Sequence, residues 1–195
     1  MKKLCYMFII ALGVYAIQGC NSRPKDEKAT ADSLNKVKDT SSNAPATGGI
    51  AVNNDDAKFA ANAAAGGLTE VALGNLAQQK SANEKIRNFG AMMVKDHSAA
   101  NAELADLAKT KNISIPATVS ADDQKKIDAL AKKSVKAFDK AYVDAMIEGH
   151  KKALKLFQDE AQNGTDADLK TFASKTVAVV QAHLEAITEI QASLK

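Results

Sequence analysis

From residue 55 to the end of the chain, apolar residues return every third or fourth position in four long stretches, and Pro116 is the only proline among them. That spacing is the repeat of an α-helix with one buried face. Alanine, leucine, lysine and glutamine dominate the region and tryptophan is absent, which favours an all-helical domain. At about 140 residues it is large enough for a single hydrophobic core.

The helices can be placed by their seams and stop signals. The first is expected over about Asp56–Gln79, with Phe59, Ala63, Gly66, Leu73 and Ala77 on one stripe. Ser81 followed by Glu84 reads as a capping box that opens the second helix, whose stripe is Ile86, Phe89, Met93, Ala100, Leu104 and Leu107. Asn112 to Pro116 ends it, and Ser120 with Asp123 starts a short crossover helix to about Lys133. The third helix, about Val135–Gln162, turns Phe138, Tyr142, Met146, Ala153 and Phe157 inward. Gly164 stops it, and Thr165 or Asp166 caps a fourth helix with Leu169, Phe172, Thr176, Val179, Ile187, Ile190 and Leu194 on its seam.

Each seam is broken once, near the helix midpoint, by a polar residue: Glu70, His97, His150 and His183, which include every histidine of the chain. Midpoints of packed helices meet at the waist of a bundle whatever the topology. Two readings stay open there. Three imidazoles and a carboxylate suit a transition-metal ion, with copper, zinc or iron compatible with these donors. Alternatively, Glu70 hydrogen-bonds the imidazoles and the cluster fixes helix register without a metal. Met93 and Met146 each precede a seam histidine by one turn, either as thioether donors suited to Cu(I) or as ordinary core filler. Tyr142 either orients a ligand or simply packs. Asp96, beside His97, is expected to point sideways, and the Gly66-Gly67 pair to allow close helix approach near Glu70.

The N-terminal residues belong to no helix of this set. Lys2 and Lys3 precede an apolar run from Leu4 to Ala16, too short to span a bilayer, so residues 1–19 read as a signal peptide. Ile17-Gln18-Gly19-Cys20 resembles the lipobox of bacterial lipoproteins, which implies lipidation of Cys20. Lys25-Asp26-Glu27 resembles the charged export tag of some outer-membrane lipoproteins. Residues 20–54 are rich in Ser, Thr, Asn and Lys and read as a flexible tether, in which a short helix around Asp32–Lys38 would have little to pack against. With Cys5 in the signal and Cys20 lipidated, no thiol remains for disulfides, thiolate ligands or nucleophilic catalysis. The expected setting is the cell envelope, with the membrane as partner through the lipid.

The formal charge of +3 includes Lys2 and Lys3, and lysines alternate with acidic residues, so there is no basic footprint for nucleic acid. No motif for an organic cofactor is visible, and no nucleophile or acid–base pair stands outside the polar cluster.

Gly66-Gly67-Leu68-Thr69-Glu70-Val71-Ala72-Leu73-Gly74, Met93-Val94-Lys95-Asp96-His97, Phe138-Asp139-Lys140-Ala141-Tyr142 with Met146 and His150, and His183-Leu184 together resemble a bacterial envelope family. That family is domain of unknown function 4142, often labelled predicted outer membrane protein. The resemblance covers essentially all of residues 55–195. It implies a ferritin-like four-helix bundle with a long connection between helices two and three, and no established activity. Val94, Ile147 and Val180 stand three residues before the histidines, so the Glu-x-x-His motif of di-iron bundles is absent and a di-iron centre or ferritin-type storage is not expected.

Overall fold

The computed structural model describes residues 26–38 and 52–194. The expected signal peptide and Cys20 lie outside them. All regular structure among the described residues is helical: α1 (Glu27–Lys38), α2 (Asn54–Lys80), α3 (Glu84–Thr110), α4 (Ala121–Ala131), α5 (Val135–Asn163) and α6 (Ala167–Ser193). Among these residues no helix is long and apolar enough to cross a membrane.

Helices α2, α3, α5 and α6 form a four-helix bundle, built from the hairpins α2–α3 and α5–α6. The link from α3 to α5 carries α4 along the bundle's length, so α5 starts at the end where α2 meets α3. At that end the Ser81 hydroxyl donates to Asp139 Oδ1 at 2.6 Å. At the opposite end the Asp56 carboxylate accepts from Thr165 N, Thr165 Oγ1 and Asp166 N at 2.8–3.1 Å, tying the start of α2 to the α5–α6 turn. Lys111 there bridges Asp166 and Asp168 at 2.7 and 2.8 Å, fastening the end of α3 to the start of α6. This is the ferritin-like arrangement expected, with its long crossover and short extra helix.

The helix limits follow local chemistry. Ser120 caps α4 by accepting from Asp123 N, and Asp166 caps α6 by accepting from Asp168 N and Leu169 N, as expected. The capping box at Ser81 does not form. Asn83 caps α3 through Lys85 N, while Ser81 is the last cap of α2 and spends its hydroxyl on Asp139. Asn112, at φ 54°, turns the chain out of α3 in the left-handed conformation that asparagine tolerates.

Most seam residues are buried, Ala100, Leu107 and Ala153 are half-buried, and three lie at the surface. Gly66 and Val179 are exposed, as is Leu194 at the fraying end of α6; Gly67 and Val180, one position along, take the inward places. Helices α2 and α3 approach most closely at Gly74 and Gly90, where a Cβ on Gly74 would lie 2.6 Å from Gly90 O. Gly67 serves the same interface, since a Cβ there would run into the Asn101 amide.

Helix α1 does have a partner. It lies against α2 with Ala31 buried, and the fully buried Asn35 pairs with Ser114, donating to its carbonyl at 2.8 Å and accepting from its N–H at 2.7 Å. The sequence pattern hid this because the attachment rests on polar groups, Asn35 and Lys38 reaching residues 112–114, and on the single small Ala31 rather than on a broad apolar face.

Two apolar clusters fill the bundle. One, around Phe59, Leu104, Phe157, Leu169 and Phe172, occupies the end nearest the α5–α6 turn. The other, around Phe89, Met93, Phe138, Tyr142, Met146 and Ile187, occupies the opposite end. The polar cluster separates them.

Candidate metal centre

Glu70 from α2, His97 from α3, His150 from α5 and His183 from α6 all turn into the bundle, 8, 6, 0 and 2 % exposed. The three imidazole centroids form a nearly equilateral triangle with sides of 5.3, 5.5 and 5.8 Å. Phe89 closes one side of it, 6.0 Å from the His150 ring and 6.4 Å from that of His183.

Each imidazole has one nitrogen engaged at its outer edge. His150 Nδ1 donates to Met146 O at 2.9 Å, which fixes that tautomer, because a carbonyl can only accept. His183 Nε2 lies 3.1 Å from Asp96 Oδ2. His97 Nδ1 lies 3.1 Å from Glu70 Oε2, and the other Glu70 oxygen is 3.5 Å from His150 Nδ1. The remaining nitrogens, His97 Nε2, His150 Nε2 and His183 Nδ1, are buried and have no hydrogen-bond partner. One ring nitrogen of each histidine lies within 4.8 Å of the other two.

Burial sets the charge of the cluster. Desolvation, helped by the neighbouring His150 and His183 and opposed by Asp96, lowers the His97 pKa from 6.5 to about 3. For His150 desolvation outweighs the Met146 carbonyl and gives about 4, and His183 is also lowered by burial against the pull of Asp96. The imidazoles are therefore neutral around pH 7, the form that donates a lone pair. Desolvation raises Glu70 to about 8.

The structure thus brings all four sequence-derived residues to one level, and divides their positions. The imidazoles converge, whereas the Glu70 carboxylate sits behind two of them. Asp96 points sideways from His97 as expected, but its role was missed from the sequence: α6 packs next to α3 and His183 reaches across to it. The pairing of α3 with α6 was the signal needed to find it. Tyr142 is fully buried with its hydroxyl unpartnered, and Met93 and Met146 belong to the apolar cluster below the triangle.

Residues 40–190 match the family described as domain of unknown function DUF4142. The chain belongs to this family. No curated protein sequence matches it significantly. Among solved structures the chain is similar to a DUF305 fragment from Deinococcus radiodurans, with a TM-score of 0.65 and 9 % identity over 73 % of this chain and 98 % of that one. At that identity the likeness supports the helical bundle fold of this DUF4142 chain and nothing about its chemistry.

Proposed function

We propose that this DUF4142 protein binds one transition-metal ion at its waist, with His97, His150 and His183 as direct ligands. The observation that carries the reading is the buried, unpartnered ring nitrogen on each of three histidines that lie close enough to bring one nitrogen apiece within 4.8 Å of the other two. In a purely structural polar core each would be a buried group without a hydrogen bond, at a cost of about 1–3 kcal/mol apiece. A metal ion uses all three lone pairs at once.

The outer contacts suit the same role. Ligating histidines generally pass their second N–H to a carboxylate or carbonyl that fixes tautomer and ring orientation. Asp96, Met146 O and Glu70 occupy those places for His183, His150 and His97. Glu70 accordingly acts here as an orienting carboxyl group, kept largely uncharged near pH 7 by its burial, rather than as the fourth ligand. Nitrogens around a tetrahedral ion sit roughly 3.3 Å apart for bonds of about 2.0–2.1 Å, so binding draws the rings inward. Neutral imidazoles accept copper, zinc or iron, and the absence of thiols from the bundle removes thiolate as a donor.

The setting of this function is the cell envelope, with Cys20 as the lipid-carrying residue of an outer-membrane lipoprotein and metal handling or stress response as its role. The Gly19-Cys20 junction after a short apolar run supports that placement. Elemental analysis after separate reconstitution with copper, zinc and iron tests the metal reading. One equivalent of a metal is expected in the parent and none in His97→Ala or His150→Ala; a parent that retains no metal overturns it.

A further inference from the structure

Beside the triangle a cavity of about 260 Å³ opens between α2, α3 and α5, and both Glu70 and His97 line it. His97 is 6 % exposed, so its ring edges this space beside Glu70 while its Nε2 stays buried without a partner. Besides Gly67, which packs on Asn101, two further wall positions are glycines in the interiors of long helices, where glycine weakens the helix relative to alanine. Neither is demanded by packing. A Cβ on Gly66 would meet nothing within 4 Å, and one on Gly149 would meet only Glu70 Oε1 at 3.9 Å. The missing side chains leave this space open: a Cβ at 149 would already touch the Glu70 carboxyl, and a longer side chain would occupy the cavity beside it.

The other walls describe what could enter. The Asn62 and Asn101 amides and the Thr69 hydroxyl line the cavity among alanine, leucine and phenylalanine side chains. Its two full charges are already matched, Asp123 by Lys126 and Lys152 by Glu148. The space exceeds that of several waters and has no cluster of cations for a polyphosphate. Three neutral imidazoles would leave one position of a tetrahedral ion open, and a divalent ion there would keep positive charge.

We propose that this cavity admits a small exogenous ligand, a monoanion or neutral donor of a few heavy atoms, to the open coordination position next to His97. The proposal rests on the metal reading above and adds to it a ligand class, a route and the residues that hold the route open.

Cobalt(II) as the metal and azide as the ligand give a direct test in the full-length chain, read from the visible absorption bands of the bound cobalt. In the parent, azide perturbs the spectrum saturably. In Gly149→Leu one cobalt is still bound but the azide dissociation constant rises at least tenfold, and Gly66→Leu, which fills the same space from α2, shows the same direction. Gly149→Ala binds cobalt normally and melts higher than the parent. Unchanged azide affinity in a cobalt-loaded leucine variant, or no azide response in the cobalt-loaded parent, overturns the proposal while leaving the metal reading intact. Failure of the parent to retain cobalt, with copper, zinc and iron also rejected, overturns both. Since Gly66 is exposed, its leucine variant keeps the comparison decisive should Gly149→Leu not fold.

Discussion

Asp96 reaches across the α3–α6 interface to hold His183, its Oδ2 lying 3.1 Å from the imidazole Nε2. The contact leaves Nδ1 facing inward without a partner. Asp96 is partly exposed, so its removal leaves no large cavity. Asp96→Ala is expected to lower metal affinity about 10–100-fold with helicity and one-to-one stoichiometry kept at saturating metal. Competition against a chromophoric chelator measures it, and unchanged affinity would remove Asp96 from the centre.

His150→Leu separates the two costs carried by the cluster. It deletes a fully buried ring whose Nε2 is unpaired, in exchange for an apolar side chain. The metal-free variant should therefore be as stable as the parent or gain about 1 kcal/mol. Metal at a hundred times its dissociation constant stabilises a binding chain by about 2.7 kcal/mol, and the variant should show none of this. Thermal melts with and without metal read both effects.

Gly74→Ala tests the helix contact that sets the spacing of the first hairpin. The added Cβ would lie 2.6 Å from Gly90 O and 3.1 Å from Met93 Cβ, so the helices must move apart. A loss of about 1–3 kcal/mol is expected, as for overpacked cores. Gly66→Ala, with open space at its Cβ, should instead gain up to about 1 kcal/mol. Denaturant unfolding of the pair checks the contrast, and equal behaviour would refute it.

Glu160 gives a pH signature remote from the histidines. Burial first, then the charges of Asp56, Asp166 and Asp159, raise its pKa from 4.5 to about 7. The folded chain then binds more protons than the unfolded one between those values, so Glu160 favours folding most below pH 4.5 and loses that contribution as pH rises through 7. Glu160→Gln should flatten this part of the stability profile and stabilise the protein at pH 8. Urea midpoints from pH 4 to 8 report it; a parallel profile in the variant would contradict the assignment.

Asn35→Ala removes the amide that binds α1 to Ser114 and leaves two backbone groups of the crossover unmatched. Cleavage within residues 26–38 by a protease should accelerate, while α2 to α6 remain protected. Protection of α1 equal to that in the parent would show that Ala31 and its apolar contacts suffice.

Much of this architecture was legible because helix periodicity is a local property. The four long helices, the α4 crossover and the Ser120 and Asp166 caps all follow from residues within one or two turns of each other. The level of Glu70, His97, His150 and His183 was equally readable, since midpoints of helices of equal length must coincide. What escaped depends on neighbours distant in the chain. Ser81 gave up capping because Asp139 is within reach, and Asp96 points to α6 because His183 is there to meet it. The Gly74–Gly90 crossing and the Asn35–Ser114 pairing likewise need both partners in place. Periodicity also cannot assign separate tasks to residues on one level, which is why Glu70 looked equivalent to the imidazoles it supports.

The division of the four residues between hairpins has a mechanical outcome. Glu70 and His97 arrive with α2–α3, whereas His150 and His183 arrive with α5–α6, so neither half alone presents three imidazoles. An ion held between them would act as a rivet: prying the halves apart means breaking coordinate bonds. Loading would then appear as slower unfolding of the whole bundle and joint hydrogen-exchange protection of both halves, a response that no single helix could produce.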